Sequence, residues 1–370
     1  MIVILRTLQD SLLKLLLNID DFQPPLVKLL LEKLAEISVV TEGQEEQQET
    51  NVPRLILAAL RWLDKLVDSA GLVEKMQEIL EVASDYHRLE VIMALPEILP
   101  PSQHNTIATF LHSMLWREKN LTACIVDSLG NLSLTNAMVD TTQKSLLKTL
   151  TTFEFPALPS VVDFLLSRCT RDTVNDIVPQ LRARLSLTPR VSLLSQRVQA
   201  SQSKAQVREK EKARRKVEKS ILEKINISIT CEPMMADAWI KAIGDVSEAE
   251  GMKPLDLLVV FQMYSIKSRR KSLENLLKSK VRSGVLTSAL VTSTFEKHPS
   301  VLAESRLLSE VLQVAAVLIN DEPGQQIYIA AFTKVRVHLI IWTSPLTWTP
   351  PTLTAFNGPF DPQIPTTPYS

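Results

Sequence analysis

A dense group of basic side chains lies in residues 267–282, where seven Lys or Arg residues accompany one acid, Glu274. Cations in such number could bind the phosphates of a nucleic acid, because Lys and Arg contacts to phosphates supply most of the sequence-independent affinity. A solvated outer face of a helix, which needs no ligand, is the alternative. The candidate contact residues are Lys267, Arg269, Arg270, Lys271, Lys278, Lys280 and Arg282.

The spacing of three of these cations predicts a stripe along one side of a helix. At about 100° per residue, Lys271, Lys278 and Arg282 fall within about 40° of one another, and they rise along the axis by roughly 10 Å and then 6 Å. The apolar residues Leu273, Leu276, Leu277 and Val281 share the other side. Such a stripe could follow a phosphate backbone without reading bases.

A second charged stretch, residues 204–219, carries eight basic and three acidic residues and almost no apolar ones. Its composition predicts a linker or a solvated helix. A nuclear address or a nucleic-acid-binding segment is the functional alternative for this stretch.

Side chains that could ligate a metal or act as nucleophiles are few and scattered. Cys124, Cys169 and Cys231 form no C-x-x-C pair, so neither a zinc site nor a disulfide framework is indicated, and a reducing compartment is expected. The five histidines include no pair at a spacing of three to five residues: His87, His104, His112, His298 and His338. We expect them to be surface residues, and we expect no catalytic residue, no metal and no cofactor.

Glycine is scarce, and this excludes two classes of nucleotide-dependent enzyme. The chain of 370 residues has 8 glycines, all isolated. Both the G-x-G-x-x-G fingerprint and the Walker A loop need several glycines within one turn. No apolar stretch reaches the roughly 20 residues that a membrane-spanning helix requires, so we expect no membrane association and no signal peptide.

The elements that position these side chains are predicted to be helices. Apolar residues recur with helical spacing in stretches of 10 to 16 residues, separated by prolines or short polar breaks. Paired helices repeating every 35 to 45 residues are typical of an all-α solenoid of HEAT or armadillo-like repeats. A single orthogonal helix bundle is the alternative.

Composition divides the chain into four parts. We predict a helical-repeat solenoid in residues 1–200, a basic linker in 201–219 and a second helical-repeat segment in 220–335. The final segment, 336–370, is rich in proline, including 7 of the 21 prolines from residue 345 onward. We expect it to be a disordered tail that is not native to the protein.

Several blocks of the sequence, in the same order, resemble the Fanconi anaemia group D2 family over about residues 1–335. The blocks are DFQPPLVKLLLEKL at 21–34, NVPRLILAALRWLDKLVD at 51–68, LPEILPPSQH at 95–104, VQASQSK at 198–204, DAWIKAI at 237–243, LENLLKSKVRSG at 273–284 and STF at 293–295.

The resemblance implies functions that composition and periodicity do not. Members of that family are large nuclear helical scaffolds without catalytic activity that act in DNA interstrand crosslink repair. They pair with the Fanconi anaemia group I protein, bind double-stranded DNA and are monoubiquitinated by the Fanconi core-complex ubiquitin ligase. The chain is then expected to be an internal piece of such a protein, with no membrane partner and no small-molecule substrate.

The family's acceptor lysine lies in a motif of tyrosine, lysine, any residue, alanine and phenylalanine, which best matches residues 328–332. Ile329 stands at the acceptor position, and Lys334 is the candidate acceptor nearby.

A function of another class also fits a helical solenoid. A HEAT-type transport or trafficking adaptor would bind peptides in its groove without contacting DNA. Such an adaptor is expected to repeat groove-facing residues from unit to unit, whereas Trp62, Trp116 and Trp239 are spaced by 54 and 123 residues. An enzyme is the weakest alternative, because no convergent set of titratable groups can be identified.

Overall fold

The structure is a computed structural model that describes residues 12–38, 52–63, 65–188, 204–298, 305–319 and 322–342. Within these ranges the chain folds into helices and forms no strand. The prediction of an all-α fold is therefore confirmed.

The first half of the chain contains nine helices with described bounds. Their lengths of 10 to 16 residues match the predicted stretches. They are α1 (Gln23–Ser38), α2 (Val52–Arg61), α3 (Ser69–Val82), α4 (Asp85–Ile98), α5 (His104–Met114), α6 (Thr122–Asn131), α7 (Asn136–Thr149), α8 (Leu158–Ser167) and α9 (Val174–Arg184).

The second half adds a long helix followed by six shorter or intermediate ones. They are α10 (Lys204–Cys231), α11 (Pro233–Gly244), α12 (Pro254–Tyr264), α13 (Arg270–Arg282), α14 (Ser288–Lys297), α15 (Ser305–Val317) and α16 (Glu322–Trp342).

These helices stack in two layers, as expected for a solenoid. The even-numbered helices α2, α4, α6, α8, α10 and α12 each pack against the next in that order. In the other layer α1 packs on α3 and α3 on α5. Further along this layer α7 packs on α9, α9 on α11 and α11 on α13. The prediction of a helical-repeat solenoid is thus confirmed, and a single orthogonal bundle is not what the described residues form.

Salt bridges between equivalent positions of neighbouring repeats follow the same stacking. Arg54 of α2 pairs with Glu90 of α4. Seven residues further along both helices, Arg61 Nε lies 2.9 Å from Glu97 Oε2. Both pairs span 36 residues, so α2 and α4 run parallel with a fixed register. That separation lies within the repeat length predicted from the sequence.

A continuous apolar core fills the space between the layers. Its fully buried side chains come from every part of the stack, for example Leu34, Leu95, Leu165 and Trp239. Removal of this apolar surface from water stabilises the fold. In a repeat array each unit contacts mainly its neighbours, so most of this burial takes place between adjacent repeats.

Two segments differ in detail from their predicted organisation. The stretch predicted as a linker or a solvated helix is the beginning of α10, so the proposed boundary at 219 and 220 lies inside one helix. The first seven residues of the predicted tail, 336–342, belong to α16. Five of the seven are apolar, and all precede the first helix-breaking proline of the tail, Pro345. Residues 343–370 lie outside the described residues.

Candidate nucleic-acid interface

Helix α13 is held against the solenoid by its apolar side. Leu273 and Leu277 are fully buried, and Val281 is buried beside them. A short helical turn, Lys267–Arg269, precedes the helix, and Gly284 follows it with a φ of 70°. Glycine suits this left-handed position because it has no Cβ to clash with the backbone. The helix is therefore fixed in rotation and at both ends.

Fixing the apolar side turns three predicted contact residues outward. Lys271 and Arg282 are exposed and Lys278 is half-buried, on the side away from Leu273 and Leu277. Lys267, in the preceding turn, is also exposed. The stripe predicted from the sequence is therefore present as a surface feature.

The acid within this stretch lies at the edge of the stripe, about 40° around the helix from Lys278. Glu274 accepts a hydrogen bond from the Tyr264 hydroxyl at 3.1 Å. Burial, together with this carboxylate, raises the pKa of Tyr264, so the hydroxyl keeps its proton and goes on donating.

Two further candidates, Arg269 and Arg270, make contacts within the chain. Arg269 Nη1 lies 2.7 Å from Asp237 Oδ1 of α11. The Arg270 guanidinium lies 5.1 Å from the centre of the Tyr264 ring, and its Nε donates to the Tyr264 carbonyl at 2.9 Å. Both side chains help to hold α13 on its neighbours, so they contribute charge near the stripe but are less available to a ligand.

Lys280 requires a correction to the predicted set of contact residues. It is buried, and its Nζ donates at 2.7 Å to the carbonyls of Gly244 and Val246. The helical angle explains this, because Lys280 lies about 20° from Leu273 on the apolar side. Lys280 therefore satisfies the backbone at the end of α11 and does not belong to the exposed stripe.

The candidate acceptor region lies on α16. Ile329, at the matched acceptor position, is 61% exposed, and Tyr328 and Phe332 stack with ring centres 6.0 Å apart. Lys334 Nζ forms a salt bridge to Glu296 Oε1 of α14 at 2.6 Å and is partly exposed. Modification of Lys334 stays a prediction.

The cysteines and histidines are not arranged as a metal site in the part of the chain that the structure describes. Burial raises the pKa of Cys124 and of Cys169 to about 12, so these thiols stay protonated near neutral pH. Cys231 is exposed.

The expectation that the histidines are surface residues is wrong for three of them. His87, His104 and His298 are buried. His104 Nδ1 accepts from the Ser133 backbone N–H at 2.8 Å, and Nε2 lies 2.9 Å from the Leu99 carbonyl, as in a neutral ring that donates through Nε2. Desolvation lowers the pKa of His112.

A buried ionic cluster between α9 and α12 was not identified from the sequence. Arg182 donates from Nε and Nη2 to both carboxylate oxygens of Asp256, and from Nη1 to Glu250 Oε1, each at 2.8 Å. Burial by itself lowers the pKa of Arg182, but the bonds to the two acids outweigh it and raise the pKa. These partners are 68 and 74 residues away, so no local pattern in the sequence could have indicated them.

No helix of the described ranges is both long and apolar enough to span a bilayer.

Comparison with known proteins gives a consistent result. A family model described as Fanconi anaemia protein FancD2 nuclease matches residues 3–336. The Fanconi anemia group D2 protein of Gallus gallus is 33% identical over 322 residues, and the Fanconi anemia group D2 protein homolog of Rattus norvegicus is 31% identical over 320 residues. Each match covers 84% of this chain and 22% of the relative, so the chain spans about a fifth of these proteins.

The description of the family model contains the word nuclease, and the expectation of a non-catalytic role stays a prediction. The matched range covers nearly all of the chain up to the predicted tail. The chain therefore belongs to the Fanconi anaemia group D2 protein family.

Proposed function

We propose that this chain is a non-catalytic scaffold segment that contacts duplex DNA during interstrand crosslink repair in the nucleus. Family membership supports the repair pathway. The observation that carries the DNA contact is the outward placement of Lys271, Lys278 and Arg282 by the buried apolar side of α13. Phosphate contacts from such a stripe would position the solenoid on DNA without selecting a sequence.

The proposal is tested by replacing the stripe while keeping the helix. In the variant K271Q/K278Q/R282Q, glutamine retains helix propensity and removes three positive charges. Titration of a labelled duplex with the full chain is expected to show weaker binding by this variant. The matched control, K28Q/K144Q/K148Q, removes three exposed lysines of α1 and α7 and is expected to bind like the unaltered chain. Equal affinity for both variants would contradict the proposal.

The same scaffold is proposed to pair with the Fanconi anaemia group I protein. Sedimentation of a mixture of the two proteins measures this directly, and absence of a heterodimer at micromolar concentration would contradict it.

Monoubiquitination by the Fanconi core-complex ligase is proposed for the longer protein, with Lys334 as the candidate acceptor here. A diglycine remnant on Lys334 in tryptic digests would support this assignment, and a remnant confined to other lysines would contradict it.

A further inference from the structure

The first half of α10 extends from the core of the solenoid into solvent. No side chain is buried between residues 205 and 217, whereas Ile221, Ile225 and Ile229 further along the helix are buried. The buried part packs mainly against α8, α11 and α12. One end of α10 is thus anchored, and the other presents its surface.

Five cations share one side of this exposed part. Taking Arg208 as zero, Lys212, Arg215, Lys216 and Lys219 lie at about 40°, −20°, 80° and 20° around the helix. They span twelve residues, 208–219, whose eleven steps rise roughly 16 Å along the axis at about 1.5 Å per residue. We call these five residues the α10 basic row.

Four acids lie near the row, and two of them are already engaged. Glu211 receives hydrogen bonds from Arg214 at 2.7 and 2.8 Å, and from Arg215 at 3.0 Å, and these contacts lower its pKa to about 2. Glu218 is fully buried, and Arg214 Nη1 lies 3.2 Å from it. The third acid, Glu209, lies at the edge of the row, at about 100°, and the fourth, Glu223, lies on its side at about 60°, one turn beyond Lys219. Arg215 is thus paired with Glu211, and the charge on which the inference rests is that of the exposed Arg208, Lys212 and Lys216.

Like charges four residues apart on a helix repel one another, and Arg208, Lys212 and Lys216 follow one another at that spacing. A bound polyanion would relieve this repulsion, which favours a binding role for the row.

The composition of the exposed part distinguishes between kinds of partner. Protein interfaces are usually centred on apolar or aromatic residues, and a membrane-surface helix needs a broad apolar side. Val207 is the single large apolar residue that is exposed between residues 205 and 217. Binding to phosphates needs no apolar contact, because the release of counterions drives it.

We propose that the α10 basic row is a second contact surface for the phosphate backbone of duplex DNA. It is distinct from the stripe on α13, because α10 and α13 belong to opposite layers of the solenoid. The choice of duplex DNA as the ligand rests on the proposed function.

The experiment compares the full chain with R208Q/K212Q/K216Q, the α13 variant K271Q/K278Q/R282Q and the control K28Q/K144Q/K148Q. Binding to one labelled duplex is measured across a range of salt concentrations. Each lost phosphate contact reduces the slope of log affinity against log salt by about 0.9, so the α10 variant is expected to lower the slope by about 2.7. A competition series with unlabelled duplex DNA and with polyglutamate accompanies each titration.

The outcomes separate this inference from the proposed function. An unchanged slope in the α10 variant, with a reduced slope in the α13 variant, would overturn the inference alone. A reduced slope in the α10 variant only would support the inference and count against the α13 stripe. Absence of DNA binding by the unaltered chain would overturn both. If polyglutamate competes as well as duplex DNA at equal charge, the ligand is an acidic polypeptide and the inference is wrong.

Discussion

The role of a lysine on α13 depends on which side of the helix carries it. Lys278 and Lys280 are two residues apart, yet Lys278 is half-buried on the outer side and Lys280 is buried among apolar residues. The ammonium group of Lys280 is hydrogen-bonded to two backbone carbonyls at the end of α11. One residue is thus available for binding, and the other joins two repeats.

Replacing Lys280 with methionine is expected to destabilise the contact between α11 and α13. Methionine keeps the apolar stem but leaves the carbonyls of Gly244 and Val246 without this donor, and an unsatisfied buried group costs about 1–3 kcal/mol. Hydrogen exchange of peptides from both helices should therefore become faster.

The matched control for Lys280→Met is Lys278→Met, which makes the same chemical change on the outer side. It is expected to leave exchange nearly unchanged, within about 0.5 kcal/mol. Equal acceleration in the two variants would contradict the structural role of Lys280.

Part of this residue-level arrangement could be predicted from the sequence. Helical angles place Lys271, Lys278 and Arg282 together, and the same angles place Lys280 beside Leu273. Charge alone therefore misassigned Lys280. Its acceptors are 34 and 36 residues away, so the reason a buried ammonium is tolerated depends on how repeats stack.

At the scale of elements, helix starts are set by identifiable side chains. Asp68 precedes α3, and its Oδ1 accepts from the Gly71 backbone N–H at 2.8 Å. A Cβ on Gly71 would clash with Asp68 Oδ2, so glycine at this position makes room for the cap. The cap satisfies one of the N–H groups that a helix leaves unpaired at its start.

Replacement of Asp68 by alanine is expected to loosen the first turn of α3. Loss of an N-cap costs about 0.5–2 kcal/mol, which hydrogen exchange at the N-terminal residues of α3 can detect. Asp68→Asn keeps an acceptor and should retain most of the protection. If the alanine and asparagine variants exchange alike, the cap contributes nothing to the stability of this turn.

Most helices could be predicted because prolines and apolar spacing mark them. The exceptions have local reasons. Helix α14 contains Ser288, Thr292, Ser293 and Thr294, which are weak helix formers. Its start depends on Thr287, whose Oγ1 accepts from the Leu290 N–H at 3.2 Å.

The first half of α10 was ambiguous because a charge-rich segment with few apolar residues fits both a linker and a solvated helix. Ion pairs such as Arg215 Nε to Glu211 Oε1 at 3.0 Å, and the anchored second half, favour the helix. The spacing of the α10 basic row was present in the sequence, but its significance depended on knowing that this segment is helical and exposed.

At the scale of the whole molecule, a net charge of zero from 41 basic and 41 acidic residues conceals two separated basic surfaces. One is on α13, and the other is the α10 basic row, in the opposite layer of the stack. Each is held by buried apolar residues elsewhere on its own helix. A solenoid of this kind presents charged surfaces at fixed positions along a rigid core, as a scaffold requires.

Contact between the α13 stripe and DNA is the central claim, and the salt dependence of duplex binding tests it most directly. Full chain and K271Q/K278Q/R282Q are titrated with the same duplex between low and physiological salt. If all three side chains contact phosphates, the variant's slope of log affinity against log salt is smaller by about 2.7. A slope equal to that of the unaltered chain would contradict the claim and reduce the stripe to a solvated helix face.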